Sequence, residues 1–439
     1  MKKKSDTLAL ALAMLLFTSP LSAQSHLVKL TNHLEPYGFF RTSAAFDARE
    51  VKTDSEDLFY YLPYDSEIND QGYDIWYNPS FRFSSITSRL GFNLTGFQYG
   101  SFNVKGKLET DFYLLNKQSA SLRLREAYVC LNWDDLGKFF SSASVKVGHA
   151  WHPMSLGMPY TVGYEGGSPF NPYARSPQLM LNASFFDRFT FTVGALYPME
   201  FTPTGPQGAS VDYVKYGLIP ELYAGLTFST EHFTARAGVD FLSLKPRWRT
   251  LEDGRYYYKG AEVKDRISML SPMGYVEYSK GLFKINAKAV LASGGDHLRL
   301  MGGYALYDKS EPLDYKYTPL RSINAFLSAS YGDQWQFMFM AGGIKALGST
   351  KDLIISLLTD RVALDNIYYF EGGFKNLRGM VRVAPAVAFN LDRLSIALEY
   401  HGTCARYGDI NALSLRGLAF SNPHNVISHR VLGIVKYSF

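Results

Sequence analysis

The stretch FNVKGKLETDFY, from Phe102 to Tyr113, decides how this chain folds. Phe102, Val104, Gly106, Leu108, Thr110 and Phe112 occupy one set of alternate positions, and Asn103, Lys105, Lys107, Glu109, Asp111 and Tyr113 the other. A period of two puts successive side chains on opposite faces of an extended strand. One face is therefore apolar and the other charged. A sheet with hydrocarbon on one side and water on the other wants this division, because unpaired charge in hydrocarbon is strongly unfavourable.

Outward from that strand the pattern repeats. Phe233, Ala235, Ala237, Val239 and Phe241 oppose Thr234, Arg236, Gly238 and Asp240, while Phe283, Ile285, Ala287, Ala289 and Leu291 oppose Lys284, Asn286 and Lys288. About sixteen β-favouring segments run from Tyr37–Ala48 to Ile427–Phe439. Their connections alternate in length. Short ones fall at Phe97–Ser101, Asp187–Arg188, Glu231–His232, Lys280–Leu282, Gly332–Gln334 and Leu391–Arg393. Long ones fall at Arg49–Phe83, Ala150–Pro177, Pro198–Ile219, Lys245–Arg266, Ser293–Ser322, Gly348–Arg378 and Ala405–Val426, and only Asn116–Ser121 is short out of turn. A sandwich gives no reason for this alternation, and a solenoid would show a fixed repeat that is absent. The pattern predicts an all-β fold, a transmembrane up-and-down antiparallel β-barrel of about 16 strands with tight turns at one end and long loops at the other.

The ends agree. Lys2, Lys3 and Lys4 precede an apolar run from Leu8 to Phe17, and Leu21-Ser22-Ala23 ends on a small residue. This reads as a signal peptide over 1–23, removed on export, which leaves 24–439 as a single outer-membrane barrel domain. The run is too short to span a bilayer as a helix. Its loss of three Lys and one Asp takes the formal charge from +5 to +3, too mild for a nucleic-acid partner. The aromatic content of 15%, with 31 Tyr and 31 Phe, suits girdles at two membrane interfaces. Cys130 and Cys404 read as incidental small residues, and no motif calls for a cofactor. The chain ends Val431, Gly433, Val435, Tyr437, Phe439 at alternate positions, which resembles the C-terminal assembly signal of bacterial outer-membrane barrels. Localisation in the outer membrane of a Gram-negative cell is expected, with outer-membrane lipid, lipopolysaccharide and, through Phe439, the barrel assembly machinery as partners.

Sixteen strands enclose an aqueous channel, and the first begins too soon after cleavage for an N-terminal plug. The connection at 150–177, rich in Gly and Pro, is the candidate constriction loop. Ser88-Arg89-Leu90-Gly91-Phe92, Gly106 to Phe112, Leu122-Arg123-Leu124-Arg125-Glu126-Ala127-Tyr128-Val129, Val147-Gly148-His149 and Ala174-Arg175-Ser176-Pro177-Gln178 follow one another in an order that resembles the DcaP-like trimeric porins of the Gram-negative porin superfamily. The resemblance implies a homotrimer in the outer membrane with the third loop folded into each pore.

Alternation sends Arg41, Arg89, Lys105, Lys107, Arg123, Arg125 and Lys146 inward, interleaved with Asp47, Glu109, Asp111 and Glu126, and places Arg175 at the end of the third loop. Neighbouring strands lie about 4.8 Å apart, so these side chains form either a basic ladder that favours anions or mutual ion pairs that hold the wall. Glu126 breaks the register that carries Arg123 and Arg125 inward; a bulge or a subunit interface explains it. The expected function is passive diffusion of small hydrophilic solutes, either as a general diffusion pore or with anions favoured. The alternatives are a surface adhesin or structural barrel and, further off, a barrel hydrolase; no Ser, His and acid spacing marks a triad, so enzyme activity is not expected.

Overall fold

Each alternating segment pairs with its neighbours in sequence, and the last pairs with the first. The structure, a computed structural model, describes residues 33–439 except 55–58, 116–118, 249, 253–254, 258–262, 357 and 370–373. The signal peptide assigned to 1–23 lies outside the described residues. The barrel strands are β1 (Leu34–Asp47), β2 (Ser80–Ser84, resuming at Arg89–Tyr99), β3 (Phe102–Leu115), β4 (Ser119–Trp133), β5 (Phe140–Trp151), β6 (Arg175–Phe185), β7 (Phe189–Leu196) and β8 (Glu221–Ser229). They continue as β9 (Phe233–Leu244), β10 (Ile267–Lys280), β11 (Phe283–Ser293), β12 (Lys316–Gly332), β13 (Trp335–Gly348), β14 (Leu377–Leu391), β15 (Leu394–Tyr407) and β16 (His424–Ser438). β1 closes on β16 in antiparallel register from Phe39 opposite Ser438 to Asp47 opposite Arg430. The result is a closed antiparallel barrel of 16 strands. Among the described residues no helix is long and apolar enough to cross a membrane, which says nothing of crossing by strands.

Closure rests on a close approach. Gly38 and Phe439 exchange backbone N–H···O bonds of 3.1 and 3.0 Å. A Cβ on Gly38 would lie 2.6 Å from the Phe439 ring and 2.7 Å from the Arg89 carbonyl, so only glycine fits. At the turns, Gly281 and Asp392 take positive φ of 59° and 50°, as two-residue hairpin loops require.

The outer face is apolar: Phe81, Phe83, Leu108, Leu122, Val147, Leu181, Phe337 and Val435 are exposed there, while Asp47, Glu109, Asp111 and Arg125 on the opposite face are buried. Aromatic pairs collect at the short-turn end, including Phe40–Phe439 at 5.3 Å, Phe102–Trp133 at 5.5 Å, Phe189–Phe228 at 5.1 Å and Trp335–Phe389 at 4.8 Å. A girdle at one end accounts for part of the aromatic surplus; Phe59, Tyr60, Tyr61, Phe170, Tyr173, Tyr213, Tyr304 and Tyr407 are instead buried inside the barrel. Cys130 and Cys404 are free.

The interior is fuller than an open channel. Met154 from the third loop and Leu298 and Leu300 from the sixth pack with Met180, Tyr223, Tyr275 and Val290 of the wall in one apolar cluster. The first loop also turns inward: its hairpin, Val51–Asp54 against Phe59–Pro63, buries Phe59, Tyr60, Tyr61 and Leu62 completely. Arg382 holds that hairpin by donating to the Tyr61 carbonyl at 2.8 Å and the Tyr60 carbonyl at 3.3 Å.

Because Gly38 has no room for a side chain, Gly38→Val will impair closure of β1 on β16. The expected cost is about 1–3 kcal/mol, the usual penalty of overpacking, read as a lower melting temperature and a smaller heat-modifiable folded band on gels.

Candidate functional site

The wall formed by β2, β3 and β4 carries the densest charge. Arg125, buried, donates through Nε to Glu109 at 3.0 Å and through a terminal nitrogen to Asp111 at 2.7 Å. Arg123 binds the same Asp111 through two parallel bonds of 2.9 Å, a geometry that matches guanidinium to carboxylate. Lys107 reaches Glu126 at 2.7 Å and Glu109 at 3.3 Å, and Arg89 reaches Glu109 at 3.2 Å. Of the two accounts of Glu126, the bulge holds. Glu109 lies opposite Glu126 but Thr110 lies opposite Leu124, so Arg125 is the extra residue, and both it and Glu126 turn inward.

The third loop, 152–174, crosses the lumen and is tied to strands on every side. Lys288 of β11, buried, donates to the carbonyls of Met154 (2.9 Å) and Leu156 (2.7 Å) and to Asn171 (2.7 Å), and Asn286 donates to the Met158 carbonyl at 2.9 Å. Tyr160 donates its amide N–H to Ser328 of β12 at 3.0 Å. At the far wall Arg41 of β1 donates to the Val162 carbonyl at 2.7 Å, and Glu399 of β15 accepts the amide N–H of Val162 (2.8 Å) and Gly163 (3.2 Å). Returning, the loop sets the Tyr164 hydroxyl 2.7 Å from Asp111, with Arg125 donating to it at 2.6 Å. Burial and the neighbouring Tyr173 push the Tyr164 hydroxyl pKa up, so it keeps its proton as a donor to Asp111. A Cβ on Gly342 of β13 would lie 2.4 Å from the Phe170 ring; the glycine makes the space in which the loop's Phe170 is buried.

The other inward cations stand differently. Arg175 is buried against Glu200 of the loop 197–220, to which its Nε donates at 3.0 Å, with its guanidinium 4.7 Å from the Trp151 ring. Burial alone would raise the Glu200 carboxyl, but Arg175 beside it holds it below the ordinary range. Among the described residues Arg41, Lys105 and Lys146 have no carboxylate partner within ion-pairing distance. Lys105 is exposed, and Lys146 sits 5.0 Å over the Tyr128 ring. Lys146 and Arg236 line a cavity of about 260 Å³ with Gln178, Asn182, Thr192 and Tyr223, and no carboxylate among the described residues borders it.

Alternation and the inner faces found Arg89, Lys107, Glu109, Asp111, Arg123, Arg125, Asn286 and Lys288, all of which meet at the third loop or the wall beneath it. It did not single out Glu399, Tyr164, Glu200 or Arg382. Glu399 and His401 alternate inward in LEYHG, a signal present but shared with any inward polar pair.

No protein-family model matches the chain, and no curated protein matches it by sequence. Solved structures do. The outer membrane channel DcaP of Acinetobacter baumannii superposes over 92% of this chain and 97% of its own, with a TM-score of 0.63 at 15% identity. The outer-membrane expressed OmpT of Vibrio cholerae covers 92% and 97% with a TM-score of 0.50 at 12% identity. The chain has the fold of the porin-type outer-membrane β-barrels.

Arg125→Ala will leave Glu109 and Asp111 buried with less compensation. Removing one partner of a buried ion pair costs about 3–5 kcal/mol, so the variant barrel should melt well below the parent in detergent while its far-ultraviolet spectrum stays β-rich.

Proposed function

We propose that this protein is an outer-membrane channel for passive diffusion of small hydrophilic solutes, assembled as a homotrimer, and that it favours anions. One observation carries the reading: a closed 16-strand barrel with a charged lumen is crossed by a third loop fastened to the facing walls. A loop held in this way narrows the passage to the spaces beside it, and the side chains lining them set what passes. We assign that role to the loop at 150–177.

The charge balance supports the anion preference. Arg89, Lys107, Arg123 and Arg125 face Glu109, Asp111 and Glu126, so most of that charge is matched on its own wall. Arg41, Lys105, Lys146 and Arg236 have no carboxylate within ion-pairing distance among the described residues, and of these Lys146 and Arg236 border the cavity beside the loop, whereas Glu165, Glu221, Asp240, Asp296 and Glu399, which lack a Lys or Arg partner, are buried. Cations without a carboxylate partner on a wall backed by low-dielectric protein attract anions into the lumen. DcaP is described as an outer membrane channel, which favours the same reading here.

Purified protein in planar bilayers should give stepwise ohmic conductance, in threes if the trimer forms, with a reversal potential on the anion side in a salt gradient. Lys146→Ala with Arg236→Ala should move that potential toward zero. A folded barrel that never conducts would overturn the channel reading and favour a structural barrel or adhesin. Glu399→Ala removes two charge-assisted hydrogen bonds from the loop tip, each worth about 1.5–3 kcal/mol; larger single-channel conductance with noisier open levels is the expected outcome.

A further inference from the structure

Where the third loop meets the barrel wall, four separate segments bring ionisable side chains into one buried cluster. His152 opens the third loop, Glu221 begins β8, Asp240 lies on β9, and Asp296 and His297 form a short turn in the loop 294–315. All five are at most 2% exposed. His152, Glu221 and Asp240 each offer an atom within 4.8 Å of the others. His297 Nε2 stands 3.1 Å from Glu221 Oε1 and 3.5 Å from Asp240 Oδ2.

The hydrogen bonds in the cluster leave much unsatisfied. His152 Nδ1 accepts the Met154 amide N–H at 3.1 Å, so its proton sits on Nε2 and is donated to Glu221 Oε1 at 2.9 Å. Asp296 accepts the Thr204 amide N–H at 2.6 Å with one oxygen. Among the described residues Glu221 Oε2, Asp240 Oδ1, Asp296 Oδ1 and both ring nitrogens of His297 are buried and make no well-aligned hydrogen bond, although His297 Nε2 lies close to Glu221. Such atoms are rare in folded proteins and call for an explanation. Charge points the same way. Three buried carboxylates meet two imidazoles, and among the described residues no Lys or Arg lies within 4.0 Å of Glu221, Asp240 or Asp296. The other buried cluster in the lumen, Glu165–Glu399–His401, contrasts with it: Glu399 there accepts two amide N–H groups and His401 Nε2 at 2.6 Å.

We propose that Glu221, Asp240 and His297 bind one divalent transition-metal ion, zinc by preference. Imidazole with carboxylate oxygens suits zinc, whereas calcium and magnesium favour oxygen alone. Ligands about 2.0–2.1 Å from a tetrahedral ion lie about 3.3 Å from each other, and the His297 separations of 3.1 and 3.5 Å bracket that value. Asp296 Oδ1 stands 3.9 Å from His297 Nδ1, too far for a hydrogen bond as the two side chains lie; on metal binding a small turn of the ring brings it within reach, where it holds the tautomer with Nε2 free to ligate. His152 steadies Glu221 and is a positioning residue. The ion joins the loop 294–315 to β8 and β9, and through His152 it fixes the start of the third loop. The site is independent of the channel reading.

The test uses the full chain in detergent, stripped with a chelator and titrated with Co²⁺ and then Zn²⁺. One Co²⁺ per chain, with visible absorption bands displaced by Zn²⁺ and a raised melting temperature, is the expected result. Glu221→Gln and His297→Ala should each abolish the bands, and Asp296→Asn should weaken binding about 10–100-fold. Absence of bands in the parent protein overturns the proposal, as does their survival in both Glu221→Gln and His297→Ala. Should one variant fail to form the heat-modifiable barrel, the parent titration and the other variant decide the matter. Conductance, measured separately, does not enter the outcome.

Discussion

Hydrocarbon offers no hydrogen bonds, so a chain that lies in it must satisfy every backbone donor and acceptor from within. For a sheet this means no free edge, and the pairing of β1 with β16 is where that condition is met. Everything else in the molecule follows from closure. Side chains that tolerate lipid face outward at alternate positions, and those that do not are turned into the space the sheet encloses. The absence of a side chain at Gly38 matters because it lets the first and last strands come together at the ring of Phe439.

The same constraint separates what could be read from the sequence from what could not. Alternation and loop length are local, and they placed all sixteen strands, including β3 and β9, whose outer faces are nearly unbroken runs of apolar residues. The bulge at Arg125 was half legible: Glu126 stood out of register, but a subunit interface would have produced the same anomaly. The ties across the lumen left no local trace. Glu399 and the Val162 amide are separated by 237 residues, and nothing near either position says they meet. The inward hairpin of the first loop escaped for the same reason. Nothing next to Phe59–Leu62 in the sequence shows that it is buried against other loops and strands.

Pairing divides the lumen's cations into two kinds. Those opposite Glu109, Asp111 and Glu126 spend their charge on neighbours, since guanidinium and carboxylate buried together demand one another. Those at Lys105, Lys146 and Arg236 have no carboxylate within ion-pairing distance among the described residues. A count of basic residues on inward faces would treat both kinds alike.

The third loop has a mechanical side as well. A thin cylinder of hydrogen-bonded strands resists stretching along its ladders, but squeezing flattens it easily, because flattening breaks no bonds. A strut across the diameter removes that soft mode. Fastened at Lys288 on one side and at Arg41 and Glu399 on the other, the loop is such a strut, and the lateral pressure of a crowded bilayer must compress it before the ring can become an oval.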